Sequence, residues 1–527
     1  MAAEPFSMGE KLGFVSAIRG AAAGCPYRDA WRYEGRSMSW SDLYDRAARI
    51  AGGLRALGVR DGDRVGILSA NSDLYMILYL AVPWAGGVLT PLNARWSVAE
   101  NAFAIDDCQP AVVLVSAALI ESNAPLFASN QGGPKWISLD DVSRDGWLNL
   151  AFLLAHEPIA DSGRAGDDLF GIFYTGGTTG RSKGVMISHA GILRNCMAMR
   201  DLGISQESCR MLIVAPLFHM AAAAVLTMTM LAGGTAVIVR AFDARRVLDT
   251  IADECVTEAL LVPTMIQMLL DAPTFDAAKL SGLQLLLYGA SPMPEKTLDR
   301  IMTAAPHVDF FQAYGMTELS CTATVLVPEY HRGRHREAGR HRGAGQPIAI
   351  AELMISDADG LPVPAGEVGE ILVRGAGVMI GYWNQAELTA DTLRGGWMHT
   401  GDCGRLDAHG ILYVVDRVKD MIVSGAENVY SAEVESAISL HPGVAQCAVI
   451  GVPDPQWGER VHAVIAPRLG SDITAEAVVK HCRGLIADYK CPRSVEFRPV
   501  LPLSPAGKIL KAELRAPFWK GHTRNVA

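Results

Sequence analysis

Eleven residues carry the densest phosphate-handling chemistry in this chain: Tyr174-Thr175-Gly176-Gly177-Thr178-Thr179-Gly180-Arg181-Ser182-Lys183-Gly184. Four glycines let a backbone fold tightly and bring its N–H groups close to an anion. Three threonine hydroxyls add donors, and the Lys183 ammonium adds a compact positive charge. The stretch reads as a loop for wrapping a polyphosphate. It is not a Walker A loop, because the required spacing of glycine, lysine and hydroxyl is absent.

Five further stretches carry related chemistry. Phe311-Gln312-Ala313-Tyr314-Gly315-Met316-Thr317-Glu318 holds an aromatic that can stack on a base, a threonine that can bond phosphate and a glutamate that can hold Mg²⁺. His399-Thr400-Gly401-Asp402 sets a carboxylate after a glycine turn, which suits the two hydroxyls of a ribose. Asp416-Arg417-Val418-Lys419-Asp420 continues into Ser424-Gly425-Ala426-Glu427-Asn428, and Gly507-Lys508 follows in Leu503-Ser504-Pro505-Ala506-Gly507-Lys508. Pro216-Leu217-Phe218-His219 puts a histidine inside an apolar run. Taken singly each has an ordinary structural reading: Tyr314 and Phe311 as core aromatics, His219 as a satisfied core histidine, Asp402 as a turn cap, Lys508 as an exposed tail residue.

The elements that must position these groups alternate between strand and helix. The glycine loop follows Leu169 to Phe173, which reads as a buried strand. Ser41 to Leu57 is an amphipathic helix, with Leu43, Ala47, Ile50, Leu54 and Leu57 on one face. Strands at Arg64–Leu68, Val88–Thr90 and Ala111–Val115 are separated by helices near 73–84 and 97–106. The rhythm resumes with a helix after His189 and strands at Met211–Ala215, Ala259–Val262, Leu283–Leu287 and Asp309–Gln312. This spacing predicts an α/β fold built on parallel sheets. From about Ile348 to Tyr413, short runs alternate with Gly, Pro and Asp turns, which predicts a small β-subdomain. The remaining hundred or so residues read as a separate α+β domain.

With 527 residues the chain exceeds one ordinary domain. Its 50% hydrophobic and 20% charged content is that of a globular protein. A net charge of −9 argues against wholesale nucleic-acid binding. Ten cysteines lie scattered without metal-ligand or redox spacing, as expected of reduced thiols in a cytoplasmic chain. The N-terminus does not read as a signal peptide. Met211 to Val239 has no Lys, Arg, Asp or Glu, but Pro216, His219 and Gly233-Gly234 divide it into strand, loop, helix (Met220–Leu231), turn and strand rather than a membrane span. The arginine run Arg332, Arg334, Arg336, Arg340 and Arg342 reads as a solvated loop, or as a surface for a CoA phosphate or an anionic membrane.

Taken together and in order, the six stretches resemble the adenylate-forming superfamily of acyl-CoA synthetases, peptide-synthetase adenylation domains and beetle luciferases. The resemblance spans Ser39 to Lys511. It implies a two-step reaction: a carboxylate attacks the α-phosphate of MgATP to give an acyl-adenylate and pyrophosphate, and a thiol then attacks the mixed anhydride. By motif, Thr175, Gly176, Gly177, Thr178, Thr179, Gly180 and Lys183 would hold the β- and γ-phosphates. Gly289, Ala290 and Ser291 would line the adenine site with Gln312, Ala313, Gly315 and Met316. Tyr314 would stack on adenine, Thr317 would bond the α-phosphate and Glu318 would hold Mg²⁺. Asp402, Val414 and Arg417 would flank the ribose. Lys508 would bridge the carboxylate and the α-phosphate, making Lys508, Thr175, Glu318 and His219 the catalytic group.

The resemblance further divides the chain into a large domain at 1–415, a hinge at 416–419 centred on Lys419, and a small mobile domain at 420–527. Rotation there would withdraw Lys508 and bring in Ser424, Gly425, Ala426 and Glu427 for CoA. Four positions depart from the family pattern: Gly176 for serine, Ser182 for proline, Ala426 for glycine and Ser431 for proline. The acid pocket is expected from His219, Met220, Ala221 and Ala222, from Val262 and Tyr288, and from Gly315. No charged group appears there to pair with an amino acid, so a medium or long fatty acid or an arylalkanoic acid is expected. With no carrier domain after Lys511, CoA is the expected acceptor. An acyl-AMP ligase serving a carrier protein, a luciferase-like use of the adenylate and a non-catalytic ATP-binding protein are the rivals. A homodimer and peripheral membrane contact are compatible with this reading.

Overall fold

The computed structural model of the chain describes residues 13–128, 133–140, 144–175, 182–417, 420–424, 427–503 and 509–520. Two large sheets dominate it. The first has eight strands, in the order Gly381–Tyr382, Lys183–Ser188, Leu169–Thr175, Val88–Leu92, Arg64–Leu68, Val112–Val115, Lys135–Ser138 and Leu148–Asn149. The second has nine, running from Gln346–Pro347 through Thr324–Leu326, Asp309–Tyr314, Leu285–Gly289, Glu258–Leu260, Arg210–Ile213 and Thr235–Ile238 to Asp29–Tyr33 and Arg36–Ser39. The central pairings are parallel, as the strand–helix alternation predicts, and antiparallel pairing enters toward the edges, at Leu169–Thr175 with Lys183–Ser188 and at Asp309–Tyr314 with Thr324–Leu326.

Local sequence explains the helices that link these strands. Ser72 accepts from the Tyr75 N–H and caps Asp73–Trp84, and Gly86 leaves the helix at φ +76°. Ser97 and Glu100 form a reciprocal capping box at Val98–Cys108. Helices Trp40–Ala56, Asp73–Trp84, His189–Asp201 and Met220–Leu231 fill the space between the sheets and share one core with both. Helices Ala244–Asp253, Pro263–Asp271 and Glu295–Ala304 cover the outer face of the nine-stranded sheet. Val98–Cys108 and Ala124–Ala128 cover the outer face of the other. The division follows strand alternation: Met211 and Ile213 point into the central core, Leu212 and Val214 into the outer one.

The β-subdomain is a four-stranded antiparallel sheet of Ala351–Ser356, Gly369–Gly375, Met398–Leu406 and Leu412–Arg417. The C-terminal part carries its own five-stranded sheet, led by the long pair Val444–Asp454 and Gly458–Pro467, with helices Ser431–Ser439 and Ala475–Arg483 packed on it. Met211 to Val239 divides as expected, and among the described residues no helix is long and apolar enough to cross a membrane. All ten cysteines are free thiols.

Candidate active site

The glycine loop joins two strands that pair with each other. Strand Leu169–Thr175 pairs antiparallel with Lys183–Ser188, a strand that the sequence reading does not include, and Thr175 sits opposite Lys183. Residues 176–181, and with them Gly176, Gly177, Thr178, Thr179 and Gly180, lie outside the described residues. The strand pair is fixed from the side: Tyr174 donates to the Asp107 carboxylate at 2.6 Å, and the Trp383 indole donates to the Asp107 carbonyl at 3.0 Å.

A second connection ties the loop to the metal-ligand candidate. Strand Gly381–Tyr382 returns to the edge of this sheet and pairs with Val185 and Met186. There the Tyr382 phenol donates to Glu318 Oε1 at 2.9 Å, and Lys183 Nζ lies over the same ring, 5.1 Å from its centroid. Glu318 is only 6% exposed, on the short turn Thr317–Leu319. Burial, followed by the Glu318 charge, raises the Tyr382 phenol, so it stays a donor.

A third cluster joins three of the stretches. Tyr314, at the end of strand Asp309–Tyr314, donates to Asp402 Oδ2 at 2.9 Å. Arg417 pairs across the subdomain sheet with Asp402, and its Nε stands 3.1 Å from Oδ1. Asp402 is buried and Arg417 exposed, so the guanidinium faces solvent over a fixed carboxylate. Burial, with Asp402 next, raises the Tyr314 phenol far above its ordinary value. Val414 lies exposed on the same strand as Arg417.

Glycine is required twice beside these groups. A Cβ on Gly289 would meet the Ala313 carbonyl oxygen at 2.3 Å, and one on Gly315 would meet that of Cys321 at 2.0 Å. Gly289 and Ala313 are strand partners, which sets the Gly289-Ala290-Ser291 turn against Gln312 to Met316. Ala290 takes φ +66°, a left-handed conformation that is costly for alanine and persists only where the surroundings hold it.

Two family models match this chain: the AMP-binding enzyme model over residues 18–383 and the AMP-binding enzyme C-terminal domain over residues 433–508. The chain belongs to the AMP-binding enzyme family. It is 39% identical to a feruloyl-CoA synthase of Amycolatopsis sp over 498 residues, covering 94% of this chain and 96% of that one. It is 33% identical to a long-chain-fatty-acid–CoA ligase of Mycobacterium tuberculosis over 488 residues, covering 91% and 93%. The crystal structure of ATP-bound MatB from Rhodopseudomonas palustris superposes with a TM-score of 0.87 at 29% identity, covering 98% of this chain and 100% of that one. This AMP-binding enzyme is accordingly an acid–thiol ligase of the acyl-CoA synthetase type, and its family supports ATP and CoA as co-substrates.

In this family member the acid-side expectation divides. His219 heads helix Met220–Leu231, half-buried with its ring edge-on to Phe218. Met220, Ala222 and the partly buried Ala221 belong to the central core, and Thr227 and Thr229 donate back to the Ala223 and Val225 carbonyls. Tyr288 is not brought to them. It points into the outer core, on the far side of the nine-stranded sheet, because it alternates with Leu287, which faces inward. There it hydrogen-bonds His331 at 2.8 Å and Gln312 at 3.3 Å, so the Gln312 side chain also turns from the helix. Val262 sits at the start of helix Pro263–Asp271.

Ser424 and Glu427 are opposite each other in the C-terminal sheet, a sheet separate from the one carrying Lys183. Lys419, Gly425, Ala426 and Lys508 lie outside the described residues. The arginine run is largely balanced by its own surface: Arg332 pairs with Asp309, Arg336 with Asp299 and Arg342 with Glu295. Sequence reasoning missed Asp107, Tyr382 and Trp383. The signal available was Gly381-Tyr382-Trp383-Asn384, an aromatic pair after a glycine that no turn requires.

Proposed function

We propose that the protein activates a hydrophobic carboxylic acid with MgATP as an acyl-adenylate and passes the acyl group to CoA. The observation that carries the reading is the convergence of Lys183 and Glu318 at one ring and of Tyr314, Asp402 and Arg417 at one carboxylate, from stretches far apart in sequence. The substrate carboxylate oxygen attacks the α-phosphorus and pyrophosphate leaves. The CoA thiolate then attacks the acyl carbonyl and AMP leaves. Lys183 and the loop donors neutralise the departing phosphates, and Asp402 with Arg417 orients the ribose. Lys508 would approach the carboxylate for the first step and withdraw about a hinge at 416–419, between a large domain of 1–415 and a small one of 420–527.

Mg²⁺ fits the donor set, since one buried carboxylate beside phosphate oxygens suits an ion that keeps several waters. Glu318 would hold it, and it would neutralise phosphate charge. The acid would lie at the His219 end of the uncharged helix Met220–Leu231, whose polar hydroxyls are satisfied internally. This supports an arylalkanoic acid or a medium- or long-chain fatty acid over an amino acid, and the feruloyl-CoA synthase relative favours an aryl acid. The test is AMP release from ATP and CoA with ferulate, a phenylpropanoate and octanoate, alongside amino-acid controls. Acyl-adenylate that accumulates without thioester would move the assignment to a carrier-protein ligase.

A further inference from the structure

Lys183 and Glu318 carry opposite charges, and both reach the same tyrosine ring. An ion pair between them would take each away from an incoming nucleotide. The ring gives each a different partner. Its hydroxyl donates to Glu318 Oε1, and its π face carries the Lys183 ammonium. The ring itself cannot drift. Ile380 N–H donates to the Met186 carbonyl at 2.9 Å and Trp383 N–H to the Gly184 carbonyl at 2.7 Å, locking the backbone on both sides of Tyr382. Tyr382 N–H donates to Thr389 Oγ1 at 2.9 Å, and Met379 N–H donates to the Glu318 carbonyl at 2.8 Å.

We propose that Tyr382 is a positioning residue that separates the phosphate-side lysine from the metal-side glutamate, so that Glu318 stays open to a divalent cation and Lys183 to phosphate. This rests on the reading of Glu318 and Lys183 given under Proposed function. The two halves of the ring's task come apart in two variants. Tyr382→Phe keeps the π face and loses the hydroxyl. Tyr382→Leu loses both.

The experiment is calorimetric titration of the full-length protein with ATP, once with excess EDTA and once with Mg²⁺, together with the Mg²⁺ dependence of ATP–pyrophosphate exchange. In Tyr382→Phe the Mg²⁺ concentration for half-maximal exchange rises about tenfold or more, the usual effect of removing a group that orients a metal ligand, while metal-free ATP affinity stays within about twofold. Raising Mg²⁺ restores its exchange rate. In Tyr382→Leu metal-free ATP affinity also falls, and excess Mg²⁺ does not restore exchange. Thermal unfolding of both variants separates these effects from a general loss of packing, which would move Tm without moving the metal dependence. Equal behaviour of the two variants, or a fall in kcat with an unchanged Mg²⁺ requirement, overturns the proposal. Wild-type protein that binds no MgATP at all would instead overturn the reading beneath it.

Discussion

Ser431 is a departure from a usual proline, and the structure gives it a task that proline cannot perform. It is the first residue of helix Ser431–Ser439 and is fully buried. Its N–H donates to the buried Asp416 carboxylate, which also accepts from Arg417 N–H at 2.8 Å. Its hydroxyl accepts from Lys511 Nζ at 2.6 Å, and Lys511 pairs with Glu435 at 2.8 Å. One residue thus joins the end of the subdomain sheet to the C-terminal sheet's first helix and to helix Lys511–Arg515. Ser431→Pro removes the N–H and leaves a buried charged acceptor short of a donor, a loss of about 1.5–3 kcal/mol, and removes the hydroxyl for about 1 kcal/mol. Against this, proline is welcome at a helix's first position and stiffens the unfolded chain by about 0.4–1 kcal/mol. The net expectation is a destabilisation of about 2–3 kcal/mol. Ser431→Ala keeps the N–H and should cost only about 1 kcal/mol. The difference between the two, about 1–2 kcal/mol, isolates the Asp416 bond and corresponds to roughly five- to thirtyfold in the equilibrium it controls. Urea unfolding followed by tryptophan fluorescence measures the stabilities. Pyrophosphate exchange, and thioester formation from supplied acyl-adenylate, measure whether the balance of the two half-reactions moves with them. A proline variant as stable as the wild type, or an alanine variant as costly as proline, refutes the reasoning.

Other expectations follow from single contacts. Gly315→Ala drives a Cβ into the Cys321 backbone, which cannot swing aside, so a loss of about 1–3 kcal/mol in stability and a marked loss of ATP affinity are expected by denaturation and calorimetry. Burial raises Glu435, so the native protein holds a proton there that the unfolded chain releases as pH rises above the ordinary value of 4.5; stability contributed by this residue falls with rising pH over that window, and Glu435→Gln should flatten the slope in pH-dependent urea unfolding. Burial holds His189 and His331 down to about 4 from 6.5, so unfolding between those values takes up to two protons at these sites and stability falls as pH drops through 6.5; His331→Gln should remove one proton of uptake. Lys508→Ala should abolish pyrophosphate exchange while largely sparing thioester formation from supplied acyl-adenylate; unchanged exchange would remove Lys508 from the first step.

The sequence alone determined what is local. Breakers place helices Asp73–Trp84 and Met220–Leu231 at their observed bounds, Gly86-Gly87 after the first and Pro216, His219 and Gly233-Gly234 around the second, because a helix is decided by the residues within it and at its ends. Motif chemistry singled out Lys183, Glu318, Tyr314, Asp402 and Arg417, since phosphate and ribose demand particular side chains wherever the chain carries them. Which of these groups meet is set by the way the layers pack. Tyr382 reaches Glu318 across 64 positions, and Tyr314 reaches Asp402 across 88. Both meetings depend on which strand joins which sheet edge. Sheet order is set by packing of whole layers, and no short window of sequence encodes it. The same holds for facing. Tyr288 and Leu287 are neighbours in a run that is apolar on both sides, and a strand buried on both faces gives no alternation to read. The structure turned Tyr288 outward to His331, opposed the arginine run with acids from other elements, and gave Ser431 its carboxylate, each through contacts that exist only once the layers have closed.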